Sequence, residues 1–458
     1  MLRVLGVMTT AALLSTSGSA SRGVSAALTA TTEQSASVID VTALLAAARG
    51  APPVICALAS QSVRNGNWGG RADAPVTPLG LTVELSDEDK GRGQLASADV
   101  DRLLDALSSD DACVRELSVR LVGRQDDARV AAPLIAKLGA SDAGLRSVAA
   151  IGLGLAEPES AIDPLIRALR DAATPVRANS AWALGRIENG KSLTPLVGLF
   201  RDDAPIVREA AVAAVGRLES TSAVAALTRV LQQDEVASVR RVAAWALGHL
   251  ESREAADALV AALGRERDAR VREMTAWALG SIEDRRASAA LQTALRSDTD
   301  DAVRETSAWA LAQIEDGGAS AALGVATQND KSSRVRGTAA WALGQLHDEG
   351  GHAPPGLVRA LRDESEDTRR KAAWALGQIG DTSALSAIQE ALKVEPSSEV
   401  RRALVRALTK SGGRSEAVFT ELLASKDPQV REAAVRGLAG AQSVNPWPWP
   451  WPRPRPFP

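Results

Sequence analysis

Ala276-Trp-Ala-Leu-Gly280 decides the fold, because it does not stand alone. The same five residues recur at Ala181–Gly185, Ala244–Gly248, Ala340–Gly344 and Ala373–Gly377, and once more with a final alanine at Ala308–Ala312. Each copy follows an arginine that usually stands after valine. Arg115, Arg146, Arg177, Arg208, Arg240, Arg272, Arg304, Arg336, Arg369, Arg401 and Arg431 mark eleven units spaced by 30 to 33 residues. A period of this kind means one structural unit used many times. Such a chain grows around one continuous core rather than dividing into separate globular domains.

Each unit reads as two helices. The first is of the type Ala161-Ile-Asp-Pro-Leu-Ile-Arg-Ala-Leu-Arg170, in which Ile162, Leu165, Ile166 and Leu169 form one apolar face. Pro164 and Pro195 fit a first turn, where a missing N–H costs nothing. An acidic or polar loop follows, such as Arg201-Asp-Asp-Ala204. Thr174-Pro175 and Asp427-Pro428 read as N-cap and first residue of the second helix. That helix carries Val-Arg-x-x-Ala-Ala-Trp-Ala-Leu-Gly, and a turn such as Glu283-Asp284 or Gly380-Asp381 closes the unit.

A two-helix unit of this length resembles the HEAT repeat, and in particular the short HEAT-like type named after the phycobilisome lyases. The Val-Arg pair, the Ala-Ala-x-Ala-Leu-Gly run and the apolar helix with its early proline carry the resemblance, over residues 97–440. It implies an all-α, right-handed α-solenoid of about eleven two-helix repeats, with the second helices lining the concave surface. It says nothing about activity, because a fold of this kind serves scaffolds and enzymes alike.

On a 100° wheel with the arginine as position 0, valine at −1, alanine at +3 and +6 and leucine at +7 cluster on one side. Tryptophan at +5 lies about 150° from the centre of that cluster. The wheel therefore places it outside the core, on a face shared with +1, +8 and +9. Trp182, Trp245, Trp277, Trp309, Trp341 and Trp374 would form a row along the groove, broken at Ala213 and replaced beyond Trp374 by Arg406 and Arg436. Two explanations stay open. An indole lying across the bare glycine at +8 is a packing device. A contiguous aromatic strip is also what an interaction site looks like. Glu209, Glu273 and Glu305 at +1, against Arg241, Arg370 and Arg402, make the groove acidic centrally and basic toward its C-terminal end; His249 stands at +9. The arginine at position 0 is expected to pair with the acidic loop that precedes it, as Arg208 with Asp202/Asp203 or Arg304 with Asp300/Asp301.

The remaining segments differ in composition. Arg3, the apolar run Val4–Leu14 and the small residues to Ala20 read as an export signal over residues 1–20. Residues 21–37 are Ser/Thr/Ala-rich and read as a flexible N-terminus. Residues 38–63 read as a helical pair capping the solenoid, and residues 64–96 as an irregular linker in which Trp68 stands among glycines. Cys56 and Cys113 form a disulfide or two buried thiols. In residues 441–458 every second position from Pro446 is proline, which excludes helix and favours polyproline II. Trp447, Trp449 and Trp451 then point in different directions, with Arg453 and Arg455 following. Such a tail suits a membrane interface, a deep site or several partners.

The sequence excludes more chemistry than it offers. A net charge of −3 gives no global pull toward nucleic acid or anionic lipid, and an acidic groove opposes phosphate binding. A di-iron hydroxylase of HEAT-like repeats needs His-Glu dyads; the three histidines, His249, His347 and His352, form none. His347-Asp348-Glu349 with His352 reads as a solvated turn rather than a metal cluster. No cofactor is expected. The sequence thus points to an exported, monomeric, non-catalytic scaffold that binds a protein or peptide in a Trp-lined groove. A lyase-type or chromophore-binding protein and an envelope-anchored structural protein are the alternatives.

Overall fold

The computed structural model describes residues 40–52, 95–123, 125, 128–346, 351–411, 420, 422–426 and 428–438. It is an all-α solenoid; among the described residues there is no strand. The helix α1 (Val41–Ala48) comes first. First and second helices then alternate: α2 (Ser97–Ala106), α3 (Ala112–Val122), α4 (Ala128–Lys137), α5 (Ala143–Ala156), α6 (Ile162–Ala168), α7 (Thr174–Ile187), α8 (Leu193–Gly198) and α9 (Pro205–Arg217). The array continues with α10 (Val224–Gln233), α11 (Ala237–His249), α12 (Ala256–Arg265), α13 (Ala269–Ile282), α14 (Ser288–Ser297), α15 (Asp301–Gln313) and α16 (Ser320–Asn329). It closes with α17 (Ser333–Gln345), α18 (Pro355–Arg359), α19 (Glu366–Ile379), α20 (Leu385–Val394), α21 (Ser398–Lys410) and the second helix α22 (Pro428–Leu438).

Each second helix packs on the second helix of the next unit and on the first helix of its own. The second helices are therefore covered on three sides, and their middles carry no polar stripe. In α11 every residue from Val242 to Gly248 is buried, as expected of a helix apolar all round. The first helices keep a narrower apolar face; in α10 only Val224, Leu227, Val230 and Leu231 are buried. One core runs without a break from Val41 to Leu408.

The repeated arginine ties units together, but not through the carboxylates expected. The guanidinium of Arg208 donates from Nη1 to the main-chain carbonyls of Asp202 and Asp203. Its other edge donates to both oxygens of Asp234, one unit further on, at 2.7 and 3.0 Å. Arg304 does the same with the carbonyl of Asp298 and the carboxylate of Asp330. The preceding loop offers its carbonyls because its acidic side chain already serves the unit before: Asp202 receives Arg177. The bidentate fork recurs from Arg146–Asp171 to Arg369–Glu395. The hydrogen bond from Arg146 holds the Asp171 carboxyl below its ordinary range. Each of these acids also caps the coming helix region, as Asp171 does by accepting from the Ala173 N–H. Thr174 is accordingly the first residue of α7 rather than its cap, and Pro175 lies at its second position.

Seven second helices run into a left-handed residue eleven positions beyond the arginine. Glu157, Glu188, Glu219, Glu251, Glu283 and Glu315 all stand there with φ between 48° and 54°, and Gly380 takes the same place at φ 70°. A short 3₁₀ turn then leads into the next first helix, its last residue small and buried, as at Ala255, Ala287 and Ala319.

At the N-terminal end α1 packs on α2 and α3, its Ala48 in a small cluster with Cys113, Val114 and Leu117. Asp111 caps α3 through the N–H groups of Cys113 and Val114 and also accepts from Gly50 N–H at 2.7 Å. Cys113 is disulfide-bonded, and the chain's one other cysteine is Cys56. The second helix of the expected cap, residues 64–94 of the linker 64–96, the segments 1–20 and 21–37 and the tail 441–458 lie outside the described residues.

Candidate functional site: the second-helix face

The tryptophans stand on successive second helices, but their rings are not where the wheel places them. Trp182, Trp245 and Trp341 are buried, at 4%, 2% and 3% exposure, while Trp277, Trp309 and Trp374 are partly buried against the core. The reason is lateral. Apart from Trp341, whose preceding unit has Ala312 there, each indole reaches sideways over the glycine at +8 of the preceding unit. A Cβ added at Gly216 would lie 2.8 Å from Trp245 Cζ3, at Gly248 2.8 Å from Trp277 Cζ3, and at Gly280 2.7 Å from Trp309 Cζ3. A single-helix wheel sees one buried face; a helix held between two neighbours has buried flanks as well, and +5 lies on a flank. The glycine and the tryptophan of the pentapeptide are thus partners across the unit boundary.

The residue at +9 covers some indoles from the open side. The Arg186 guanidinium lies 5.7 Å from the Trp182 ring centroid, and His249 stacks on Trp245 at 5.2 Å and 12°. Ser281, Gln313 and Gln378 stand at this position beside Trp277, Trp309 and Trp374, the three indoles that keep partial exposure. His249 also approaches Glu219 at 3.6 Å.

The +1 row carries the electrostatics. Glu209 accepts from Ser238 Oγ at 2.8 Å. Arg241 follows, its guanidinium disfavoured first by burial and further by Arg270. Among the described residues no hydrogen bond or ion pair holds the Glu273 carboxylate. Burial, with Asp300 and Glu305 nearby, pushes it up to about 7. Glu305 is 7% exposed and is also pushed up, mainly by burial. Arg334 approaches it at 3.5 Å while holding Asp301 at 2.9 Å. At Gly337 the row has no side chain, and Lys371 of the next unit lies over the gap, where an added Cβ would meet its Cδ at 3.4 Å. Toward the C-terminal end the row turns basic. Arg370 pairs with Asp367 and Arg402 with Glu399, each on its own helix. Arg406 takes the tryptophan position with no ion pair among the described residues; burial, Arg402 and Arg436 all disfavour its charge.

Sequence reasoning missed Arg334 and Lys371. Both lie off the +1/+5/+9 strip, and only packing between units brings them onto it. His347 lies outside the described residues, and His352 is exposed. Among the described residues no three His, Cys, Asp or Glu side chains gather as a metal site, and no helix is long and apolar enough to cross a membrane. Trp447, Trp449, Trp451, Arg453 and Arg455 lie outside the described residues.

The geometry defines a class: an all-α solenoid of stacked two-helix units whose second-helix face carries indoles and half-buried charges. The chain belongs to the HEAT repeat family, whose model matches residues 162–247, 224–312, 293–357, 320–409 and 354–439. Among solved structures it is similar to yeast importin-beta (Kap95p), at TM-score 0.54 and 16% identity over 88% of this chain and 62% of that one. It is similar as well to Kap95p in its complex with RanGDP, at 0.53 and 14% over 88% and 63%. The Kap95:Nup1 complex follows, at 0.52 and 13% over 76% and 58%. The chain therefore spans about three fifths of those importin chains, and at these identities the likeness is one of fold. No curated protein matches the sequence.

Proposed function

We propose that this chain is a non-catalytic, monomeric scaffold that binds a protein or peptide along its second-helix face. The observation that carries the reading is Glu273. It is a half-buried carboxylate with no hydrogen bond or ion pair among the described residues, pushed up to about 7 by burial and by Asp300 and Glu305. It stands one helical turn from Trp277, with Glu305 of the next unit nearby. Perturbed groups of this kind gather at functional sites, and indoles are favoured anchors of binding surfaces. Close packing of second helix on second helix is also the geometry of the inner side of a curved stack, where a partner is enclosed. The importin-beta chains similar to this one are recorded in complexes with RanGDP and Nup1, which supports a protein ligand. Export supplies the setting: a disulfide at Cys113 suits an oxidising compartment, in keeping with the leader-like residues 1–20.

Because the indoles also pack the units, charge reversal tests the face better than truncation of tryptophan. Affinity capture from envelope extract should be run with the natural chain and with Glu209→Lys, Arg241→Glu and Glu273→Lys together. Mass spectrometry should find proteins retained by the first and lost from the second at equal helicity. The same set retained by both would sink the assignment of the face.

A further inference from the structure

We propose that the segment 441–458 of this same chain lies back along its second-helix face, with Arg453 and Arg455 over the carboxylates of Glu305 and Glu273. This goes beyond the scaffold reading, because the occupant is the chain itself and would compete with any partner for the face.

Three independent features agree. The first is reach. Arg453 is fifteen residues beyond Leu438, the last residue of α22, and an extended chain spans at most about 3.3–3.6 Å per residue, roughly 50 Å here. From α22 back to α15 is four steps between second helices at about 8–10 Å each, roughly 32–40 Å. Arg455, seventeen residues beyond Leu438, has a reach of roughly 56–61 Å, against roughly 40–50 Å for the five steps to α13.

The second is charge order. From α22 the segment would first cross Arg436, then Arg402, Arg406 and Lys410, then Arg370. Residues 439–452 carry no charge at all and hold the three tryptophans. Indole faces are good partners for guanidinium groups, and Arg406 has no carboxylate of its own among the described residues. Only beyond this stretch do Arg453 and Arg455 appear, at the distance where the face turns acidic.

The third is conformation. Every second residue from Pro446 is proline, which restricts the backbone before binding, so docking costs little chain entropy. Such segments are received by grooves lined with aromatic rings. Trp277 and Trp309 are partly exposed indoles, each one turn from a carboxylate; Glu273 has no ion pair among the described residues, and Glu305 has Arg334 at 3.5 Å.

The test uses a chain ending at Gly440, which retains every described helix, and a fluorescent peptide of residues 441–458. The peptide should bind the shortened chain at micromolar concentration and bind the full chain at least tenfold more weakly, because the face is already occupied. A peptide with Arg453→Ala and Arg455→Ala should lose tenfold or more in affinity, and so should the natural peptide when salt rises from 0.05 to 0.5 M, since exposed charges are screened. Glu273→Gln with Glu305→Gln in the shortened chain should match the peptide variant, with circular dichroism reporting intact helix. Sedimentation of the full chain should give a monomer. No binding to the shortened chain, equal binding to both chains, or indifference to the two arginines would overturn the proposal. A dimer that disappears with the segment would overturn it in favour of docking between copies. Partner capture plays no part in these measurements, so failure of the scaffold reading would leave their result standing.

Discussion

Gly280 and Trp309 show how one residue sets the spacing of the array. An added methyl at Gly280 would meet Trp309 Cζ3 at 2.7 Å and the backbone Cα of Ala310 at 2.9 Å. Helix propensity favours alanine over glycine by about 1 kcal/mol, whereas overpacking costs about 1–3 kcal/mol. Backbone cannot swing aside as a flexible side chain can, so the clash wins. Gly280→Ala should lower stability by roughly 1 kcal/mol in urea unfolding, and Trp309→Ala in the same chain should remove that increment in a double-mutant cycle. A Gly280→Ala chain as stable as the natural one would show that the contact has slack. The natural exception supports the mechanism: Ala312 occupies this position ahead of Trp341, and α15 and α17 meet less extensively than α13 and α15 do.

At the scale of the element, the C-terminal ends of the second helices hold stored strain. A left-handed residue after a helix is ordinarily glycine, and a residue with a Cβ pays about 1–2 kcal/mol there. Six glutamates occupy it. Some of that cost returns as contacts between units: Arg186 donates to Glu157 Oε1 at 2.6 Å. Glu251 is exposed, with no ion pair among the described residues. Glu251→Gly should therefore raise the melting temperature, by about 0.5–1 kcal/mol of stability after glycine's own entropy cost. The same change at Glu157 should gain less, and an equal gain at both sites would mean that the Arg186 contact is worth nothing.

For the whole molecule, stability is a sum of units and of the ties between neighbours. The arginine fork is the tie most exposed to a conservative change. Arg272 joins the carbonyls of Glu266 and Arg267 to the carboxylate of Asp298, and lysine has neither the planar fork nor the donors to do so. Removing one partner of a buried pair costs about 3–5 kcal/mol; these groups are 13% and 9% exposed, so about 2–4 kcal/mol is expected for Arg272→Lys. Since the loss falls on one boundary, denaturant unfolding should change from one transition to two. A single transition merely shifted to lower urea would show that units are coupled over longer range than their neighbours.

The repeat alone determined the fold, since a period of about 32 residues with two apolar faces has one economical solution, stacking. It also determined the order of charges along the second helices and the arginine that binds units together. Tertiary structure decided which carboxylate each arginine takes, and where the indoles go. Asp202 turns its carboxylate to Arg177 and only its main-chain carbonyl to Arg208, a division between side chain and backbone that periodicity does not record. Trp245 is core although its wheel angle says surface, because a stacked helix is buried on its flanks as well as on its base. Periodicity records one helix at a time. The face of this solenoid is made between helices, by residues some thirty positions apart, and there Lys371 fills the gap at Gly337 and Arg334 reaches Glu305.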